Sequence, residues 1–157
     1  METPLLELRV WIERPAHADS QTLVGGVLRL TCDERRKNRL RVRLEDGREA
    51  GIILPRGTIL RDGDYLSDGT TLVVVRAAPE SLSVATTPDP HLLLRAAYHL
   101  GNRHVALQIG PDWLAYPHDH VLDDLARGLG LLVTLEKRGF EPETGAHGGG
   151  QSSSHAH

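Results

Sequence analysis

The sequence predicts an α+β protein: a small all-β domain, then a ferredoxin-like βαββαβ domain, then a flexible histidine-containing tail. Three observations support this prediction. Short alternating strands with Asp-Gly turns fill the first half, helical spacing appears twice in the second half, and a Gly/Ser tract closes the chain. The predicted boundaries are 1–77 for the β domain, 78–140 for the ferredoxin-like domain and 141–157 for the tail.

The first half contains runs that are typical of half-buried strands. Leu6, Leu8, Val10 and Ile12 alternate with polar or outward positions, and residues 39–44 alternate strictly between arginine and aliphatic side chains. Further strands are expected at 22–31, 51–54 and 72–75. Asp-Gly steps between the strands favour hairpin turns, because glycine accepts the positive φ that such turns need. The first half is therefore predicted to form a small β sandwich or barrel.

The second half changes to alternating strands and helices. After a strand at 81–85, a helix is expected with Asp89 as its N-cap and Pro90 at its first position. Gly101 or Asn102 is expected to end that helix in a left-handed conformation. Strands at 105–109, 113–116 and 131–135 surround a second helix that begins at Val121 and ends near Gly128 or Gly130. The order is βαββαβ, which defines the ferredoxin-like arrangement.

Composition excludes several classes of protein. The chain has 157 residues, a formal net charge of −3 and one cysteine, Cys32, so a disulfide framework and a Cys-rich zinc module are both excluded. Nearly balanced charge argues against a dedicated nucleic-acid binder. No apolar run approaches the roughly 20 residues that span a bilayer, and the N-terminus lacks a signal-peptide pattern. We therefore expect a cytoplasmic protein with neither nucleic acid nor membrane as partner.

The sequence lacks the local signatures of common enzymes. It has no phosphate-binding Gly-rich loop with Lys-Ser/Thr, no Gly-x-Ser-x-Gly elbow and no His-Glu-x-x-His motif. Cys32 has no obvious base beside it and is expected to be an inert thiol. Asp123 and Asp124, in the second predicted helix, are expected to face solvent. We predict a protein that is not an enzyme.

Histidine is concentrated in the second half, where eight of the nine lie at or after His91. His118 and His120 flank Asp119, and in an extended segment residues two apart point to the same side. Two such imidazoles could hold one borderline metal ion, since imidazole suits Ni(II), Cu(II) and Zn(II). The alternative is that His118 and Asp119 cap the following helix and the rest is surface.

The other candidate ligands lie at a junction and in the tail. His104 directly follows the first predicted helix, where surface junctions often carry function, although a hydrogen-bonding surface role is also open. His147, His155 and His157 lie in the Gly/Ser tract, which composition marks as a possible metal-binding tail. His99, within the helix, is expected to be structural.

A basic stretch occupies residues 35–43. It could contact RNA or an acidic partner, but no aromatic residues are interleaved for base stacking. A solvated strand face or a protein-docking face is the favoured interpretation.

Six segments, taken together, resemble the UreE family of urease accessory metallochaperones. They occur in the family's order at 35–42, 54–58, 60–64, 97–104, 118–122 and 140–146. The most specific is the run AYHLGNRH at 97–104. The tail is poorer in histidine than the long tails of some members, and Gly139 and His147 stand where many members have Pro and Tyr.

The resemblance implies a homodimer that carries Ni(II) as cargo to apo-urease, working with an accessory GTPase and the urease assembly complex. The N-terminal domain would engage these protein partners. Zn(II) or Cu(II) could occupy the same sites. The implied metal ligands are His104 at the dimer interface, the peripheral pair His118 and His120, and, loosely, the tail residues His147, His155 and His157.

A second function remains open, that of a protein-binding adaptor or assembly chaperone whose metal binding is incidental. Such an adaptor would work through the N-terminal sheet and the basic strand that carries Arg39, Arg41 and Arg43.

Overall fold

The computed structural model describes residues 4–14 and 24–145, which form two halves with separate hydrophobic cores. The N-terminal half is built mainly of strands and the C-terminal half combines strands with two helices, so the predicted α+β class is confirmed. The His-containing end of the tail, 146–157, lies outside the described residues.

The N-terminal half has seven described strands in two sheets. They are β1 (Leu6–Leu8), β2 (Val10–Ile12), β3 (Gly26–Leu30), β4 (Arg39–Arg43), β5 (Glu49–Ile53), β6 (Tyr65–Ser67) and β7 (Leu72–Ala77). One sheet has the order β1-β5-β4 and the other has the order β2-β6-β7-β3. Strand β1 runs parallel to β5 and β3 runs parallel to β7, while the remaining pairs are antiparallel. Aliphatic residues from both sheets fill one core between them.

The first predicted strand is two strands that belong to different sheets. β1 pairs with β5, whereas β2 pairs with β6 in the second sheet. Leu8 is fully buried, but Val10, Trp11 and Ile12 are all exposed. Strands that switch between packed sheets make the corners of such β folds, and here the switch falls at Arg9. The alternating pattern predicted the extended backbone correctly and the single strand wrongly.

A short helix that the sequence analysis did not predict precedes β4. Helix α1 (Cys32–Arg35) begins with a capping box, in which the Thr31 hydroxyl accepts from the Glu34 N–H and the Glu34 side chain accepts from the Thr31 N–H. The helix buries Arg35, whose side chain is 1% exposed. The basic stretch is therefore not a uniform surface feature.

The C-terminal half has the predicted βαββαβ order. Its elements are β8 (Pro79–Thr86), α2 (Pro90–Gly101), β9 (Gln108–Ile109), β10 (Trp113–Pro117), α3 (His120–Leu129) and β11 (Leu132–Gly139). The sheet order is β11-β8-β10-β9 and every neighbouring pair is antiparallel. Strand β10 thus lies between β8 and β9, which is the split βαβ arrangement of the ferredoxin-like fold.

Most helix ends follow the predicted capping chemistry. The Asp89 carboxylate accepts from the His91 N–H at 2.9 Å with Pro90 at the first helical position, and Gly130 ends α3 with φ of 109°. The prediction for the end of α2 is wrong in detail. Asn102 is right-handed, and the left-handed residue comes later, at His104.

The two halves meet on the sheet face opposite the helices. Leu82, Val84, Ala115 and Phe140 form a small buried cluster there, with Cys32 of α1 packed against it. The Arg35 guanidinium also bridges the halves, because it donates to the backbone carbonyls of Leu30, Leu60 and Phe140. The chain after β11 is therefore fixed against the N-terminal half.

Candidate metal-binding site

His104 is exposed and follows α2, in the segment that leads to β9. Its φ is 59°, and within 4–14 and 24–145 no other residue except glycine has a positive φ. Its N–H donates to the Gly101 carbonyl at 3.0 Å. Left-handed backbone is strained for a residue with a β-carbon, and strained residues cluster at functional sites. Backbone geometry therefore singles out His104 independently of its ligand chemistry.

A cleft of about 450 Å³ opens beside His104. Besides His104, it is lined by Ala97 and Gly101 of α2, by Arg36, by 105–107 and Ile109, and by 143–145. The lining supplies one imidazole and the Glu143 carboxylate, both of which are ligand types for divalent metals. It also brings the last described residues of the chain to the His104 site.

The segment that reaches this cleft is anchored by hydrogen bonds. The Asp62 N–H donates to Glu141 Oε1 at 2.7 Å, and Arg61 Nη1 donates to the Pro142 carbonyl at 3.1 Å. The Glu143 N–H donates to the Leu107 carbonyl at 2.8 Å. Residues 141–143 thus contact both halves.

His118 and His120 lie on either side of the N-cap of α3, and both are exposed. Asp119 is the N-cap, and its Oδ1 accepts from the Val121 N–H at 2.8 Å and the Leu122 N–H at 3.2 Å. Capping by Asp119, one of the two roles left open, is therefore present. Because the helix begins at His120, the two histidines do not share one extended segment.

A buried polar network lies behind His118. The Tyr116 hydroxyl donates to Asp123 Oδ1 at 2.8 Å, and Asp123 Oδ2 lies 3.4 Å from His118 Nδ1. The Ser83 hydroxyl lies 3.0 Å from the same nitrogen. Burial, followed by the Asp123 hydrogen bond and charge, raises the pKa of Tyr116, so its phenol stays protonated at neutral pH.

The expected solvent exposure of Asp123 is wrong, since the residue is only 5% exposed. Asp123 lies three residues before Ala126, and both are buried on the same face of α3. This helical spacing is the one sequence signal that could have revealed the burial of Asp123. Ser83 was missed altogether, because its partner His118 lies 35 residues away. Asp124, by contrast, is exposed as predicted.

The described part of one chain does not form a multi-ligand metal site. Among residues 4–14 and 24–145, no three or more His, Cys, Asp or Glu side chains converge to hold a metal ion. His147, His155 and His157 lie outside these ranges. The His99 ring packs edge-on against Tyr98 with 5.4 Å between centroids, in keeping with a structural role.

Cys32 and the basic strand are engaged in local contacts. Burial is the largest influence on Cys32 and raises the pKa of its thiol, which disfavours the reactive thiolate. Arg41 and Arg43 of β4 pair with Glu49 at 2.6 and 3.3 Å. The hydrogen bonds from Arg41 and then Arg43 lower the pKa of that carboxyl. Two arginines of the basic stretch thus have acidic partners on the neighbouring strand.

Family models match nearly the whole chain. The model described as the N-terminal domain of the UreE urease accessory protein matches residues 13–78, and the model of its C-terminal domain matches residues 80–157. The chain belongs to the UreE family.

Named relatives of this UreE-family chain cover most of its length. It is 57% identical over 143 residues to the urease accessory protein UreE of Pseudomonas putida strain GB-1, covering 89% of this chain and 85% of the relative. The corresponding protein of Citrobacter koseri is 52% identical over 155 residues, covering 98% and 96%. That of Proteus mirabilis is 55% identical over 121 residues, covering 76% and 75%.

These names describe accessory proteins of urease rather than catalysts, which agrees with the prediction of a protein that is not an enzyme. As a UreE-family member, the chain is associated with urease maturation. None of the helices in the described ranges combines the length and the apolar character needed to cross a bilayer.

Proposed function

We propose that this chain binds Ni(II) and delivers it to apo-urease while the urease active site is assembled. The observation that carries the proposal is His104, exposed and left-handed beside a cleft that also receives the start of the histidine-bearing tail. Membership of the urease accessory family supplies the destination of the metal.

The proposed site is completed by a two-fold axis. One exposed imidazole binds a metal ion weakly, but an isologous dimer brings the same residue from both subunits to one place. The helix that precedes His104 offers a surface for such a contact. Leu94 and Tyr98, one turn apart on α2, are 70% and 69% exposed. Burying these side chains against a second copy would remove them from water.

The donor set favours exchange of the metal rather than permanent storage. Paired imidazoles with open or water-filled positions suit a carrier, whereas a closed four-ligand site would release its ion poorly. The absence of a reactive thiolate argues against a site built for Cu(I), whereas imidazole ligands suit Zn(II), Cu(II) and Ni(II), and affinity order alone would favour Cu(II). Zn(II) and Cu(II) are thus expected to compete for the site, and the supply of metal and the partner complex would select nickel.

The N-terminal half is proposed to contact the accessory GTPase and the apo-urease complex. Strand β2 is at the edge of its sheet and exposes Val10, Trp11 and Ile12. An exposed edge strand is a ready template for pairing with a partner. This edge supports a docking role for the N-terminal half.

The metal site is tested by Ni(II) calorimetry with native mass spectrometry. Samples are the wild type, His104→Ala, a chain ending at Gly145, and His91→Ala as an exposed-histidine control on α2. We expect one tight ion per dimer in the wild type and in His91→Ala, loss of that ion in His104→Ala, and weaker binding in the truncated chain. Wild-type binding by His104→Ala would refute the interface site.

Delivery is tested by activating apo-urease in the presence of its accessory proteins. The carrier function predicts that His104→Ala abolishes activation while partner binding stays intact. If activation is lost only when Arg39, Arg41 and Arg43 are neutralised, the protein acts as an adaptor instead.

A further inference from the structure

We infer that Asp123 is a positioning residue for metal binding by His118: it holds the imidazole proton on Nδ1 and leaves the Nε2 lone pair free for a metal ion. The inference deepens the proposed function, since it concerns the peripheral histidines of a nickel carrier. The tautomer it assigns, however, is a property of the metal-free protein.

Asp123, the supporting residue, is buried, whereas His118, the proposed metal ligand, is exposed. The side chain of Asp123 is 7% exposed and that of His118 is 45% exposed. Both neighbours of the ring, Asp123 Oδ2 at 3.4 Å and Ser83 Oγ at 3.0 Å, face Nδ1. A Ser-His-Asp catalytic relay needs the serine on the other ring nitrogen, so this arrangement does not activate Ser83 as a nucleophile.

The carboxylate decides which nitrogen of the neutral ring carries the proton. If Nδ1 were unprotonated, its lone pair would face a buried carboxylate oxygen with no hydrogen between them, which is repulsive in a region of low dielectric. A proton on Nδ1 can be donated to Ser83 Oγ at 3.0 Å, and its positive end then lies 3.4 Å from Asp123 Oδ2. Tyr116 already donates to Oδ1, so this tautomer places an N–H group near the second carboxylate oxygen.

Backbone hydrogen bonds fix where His118 and Asp123 leave the main chain. The His118 N–H donates to the Ser81 carbonyl at 3.1 Å, which ties the residue to β8. Asp123 is one turn into α3, where its N–H donates to the Asp119 carbonyl at 2.9 Å. The imidazole is thus held between the sheet and the helix, and less conformational entropy is lost when a metal binds.

The arrangement matches the carboxylate–histidine–metal pattern, in which a carboxylate on one ring nitrogen orients the other toward the ion and raises its basicity. The carboxylates also reduce the electrostatic repulsion between a bound cation and the N-terminus of α3. The N-terminus of α3 carries partial positive charge that disfavours a cation, and the Asp119 and Asp123 carboxylates in the first turn offset it. Asp123 thereby supports a cation beside a helix end that would otherwise repel one.

The first test reads the tautomer directly in the metal-free full-length protein, by long-range proton–nitrogen NMR of the His118 ring. The wild type and the control Asp124→Asn, an exposed charge-matched neighbour, should carry the proton on Nδ1. In Asp123→Asn, Tyr116 donates to the amide oxygen, so the amide NH₂ faces Nδ1 and moves the proton to Nε2. The same exchange beside a catalytic histidine keeps the geometry and locks the wrong tautomer.

The second test measures Ni(II) affinity in a His104→Ala background, which removes the proposed interface site. Asp123→Asn should weaken the remaining histidine site by about 10–100-fold, as loss of such a partner typically does, and should approach the affinity of His118→Ala. Asp124→Asn should bind Ni(II) with the same affinity as the His104→Ala protein in which it is made.

Two results would overturn the inference: a wild-type His118 with its proton on Nε2, or equal Ni(II) affinity in Asp123→Asn and Asp124→Asn. The wild-type spectrum is decisive even if Asp123→Asn does not fold. Failure here is distinguishable from failure of the proposed carrier, because the tautomer is read without metal and the His104 site is titrated separately.

Discussion

His104 has a backbone conformation that glycine adopts freely and that a β-carbon strains. A surface residue kept in this conformation is expected to have a reason beyond stability. Here the turn places the imidazole beside the cleft and the anchored end of the described chain. The strained backbone conformation and the proposed metal ligand thus belong to the same residue.

Replacing His104 by glycine or by alanine should separate these two properties. Both changes remove the ligand, so both should lose the tight Ni(II) ion. His104→Gly should be more stable than His104→Ala by about 1 kcal/mol, because glycine accepts φ of 59° without strain. The measurement is urea unfolding without metal. Equal free energies of unfolding would mean that the turn relaxes and stores no strain.

At the scale of elements, α3 depends on its cap. It has ten residues, and an isolated helix of that length is marginal in water. Asp119 bonds two N–H groups of its first turn. The same residue separates the two candidate ligands His118 and His120, so the cap fixes where both imidazoles leave the chain.

We expect Asp119→Ala to lower the free energy of unfolding by about 1 kcal/mol, since the orphaned N–H groups lose their acceptor. Asp124→Ala, in the exposed middle of the same helix, should change it by no more than a few tenths. Thermal or urea unfolding of the metal-free variants measures both. A loss of the same size in the two variants would show that charge, not capping, is responsible.

Local chemistry explains which elements the sequence could predict. Asp89 and Pro90 act on their own helix end and are predicted correctly, and Gly130 is one of the two glycines predicted to end α3. Helix α1 was missed because four residues carry too little periodicity, although Thr31 and Glu34 form its capping box. The division between β1 and β2 follows from pairing with distant strands, which no alternation within the run can reveal.

The site was less accessible from sequence than the fold. Residue types and resemblance indicated His104, His118 and His120, and their ligand roles stay predictions. The left-handed turn at His104 and the burial of Asp123 depend on tertiary packing, so spacing alone did not give them. Ser83 is a common residue type, and only contact with His118 distinguishes it.

At the scale of the whole molecule, one buried side chain joins distant parts of the chain. The Arg35 guanidinium donates to the carbonyls of Leu30, Leu60 and Phe140. A planar fork with several donors suits such bridging, which the single ammonium of lysine cannot reproduce. Arg35 therefore holds the two halves and the segment after β11 in one arrangement.

We expect Arg35→Met to lower the free energy of unfolding by about 3 kcal/mol, because the Leu60 and Phe140 carbonyls lose their donor, whereas the Leu30 carbonyl still accepts from the Ala78 N–H. Arg36→Met, at the neighbouring exposed position, is the matched control and should cost less than about 0.5 kcal/mol. Urea unfolding followed by circular dichroism compares them. Similar losses in the two variants would show that water or local rearrangement replaces the donors.

The anchoring of residues 141–143 limits how far the histidines that follow them can lie from the His104 cleft. Gly145 lines the His104 cleft, and His147 is two residues further along the chain. Two residues span at most roughly 7 Å, whatever conformation they adopt. His155 and His157 are ten and twelve residues past Gly145, so a fully extended chain could carry them at most roughly 35 and 40 Å from it. Covalent connection thus confines His147 to the neighbourhood of one cleft, whereas the last two histidines could extend to a second molecule.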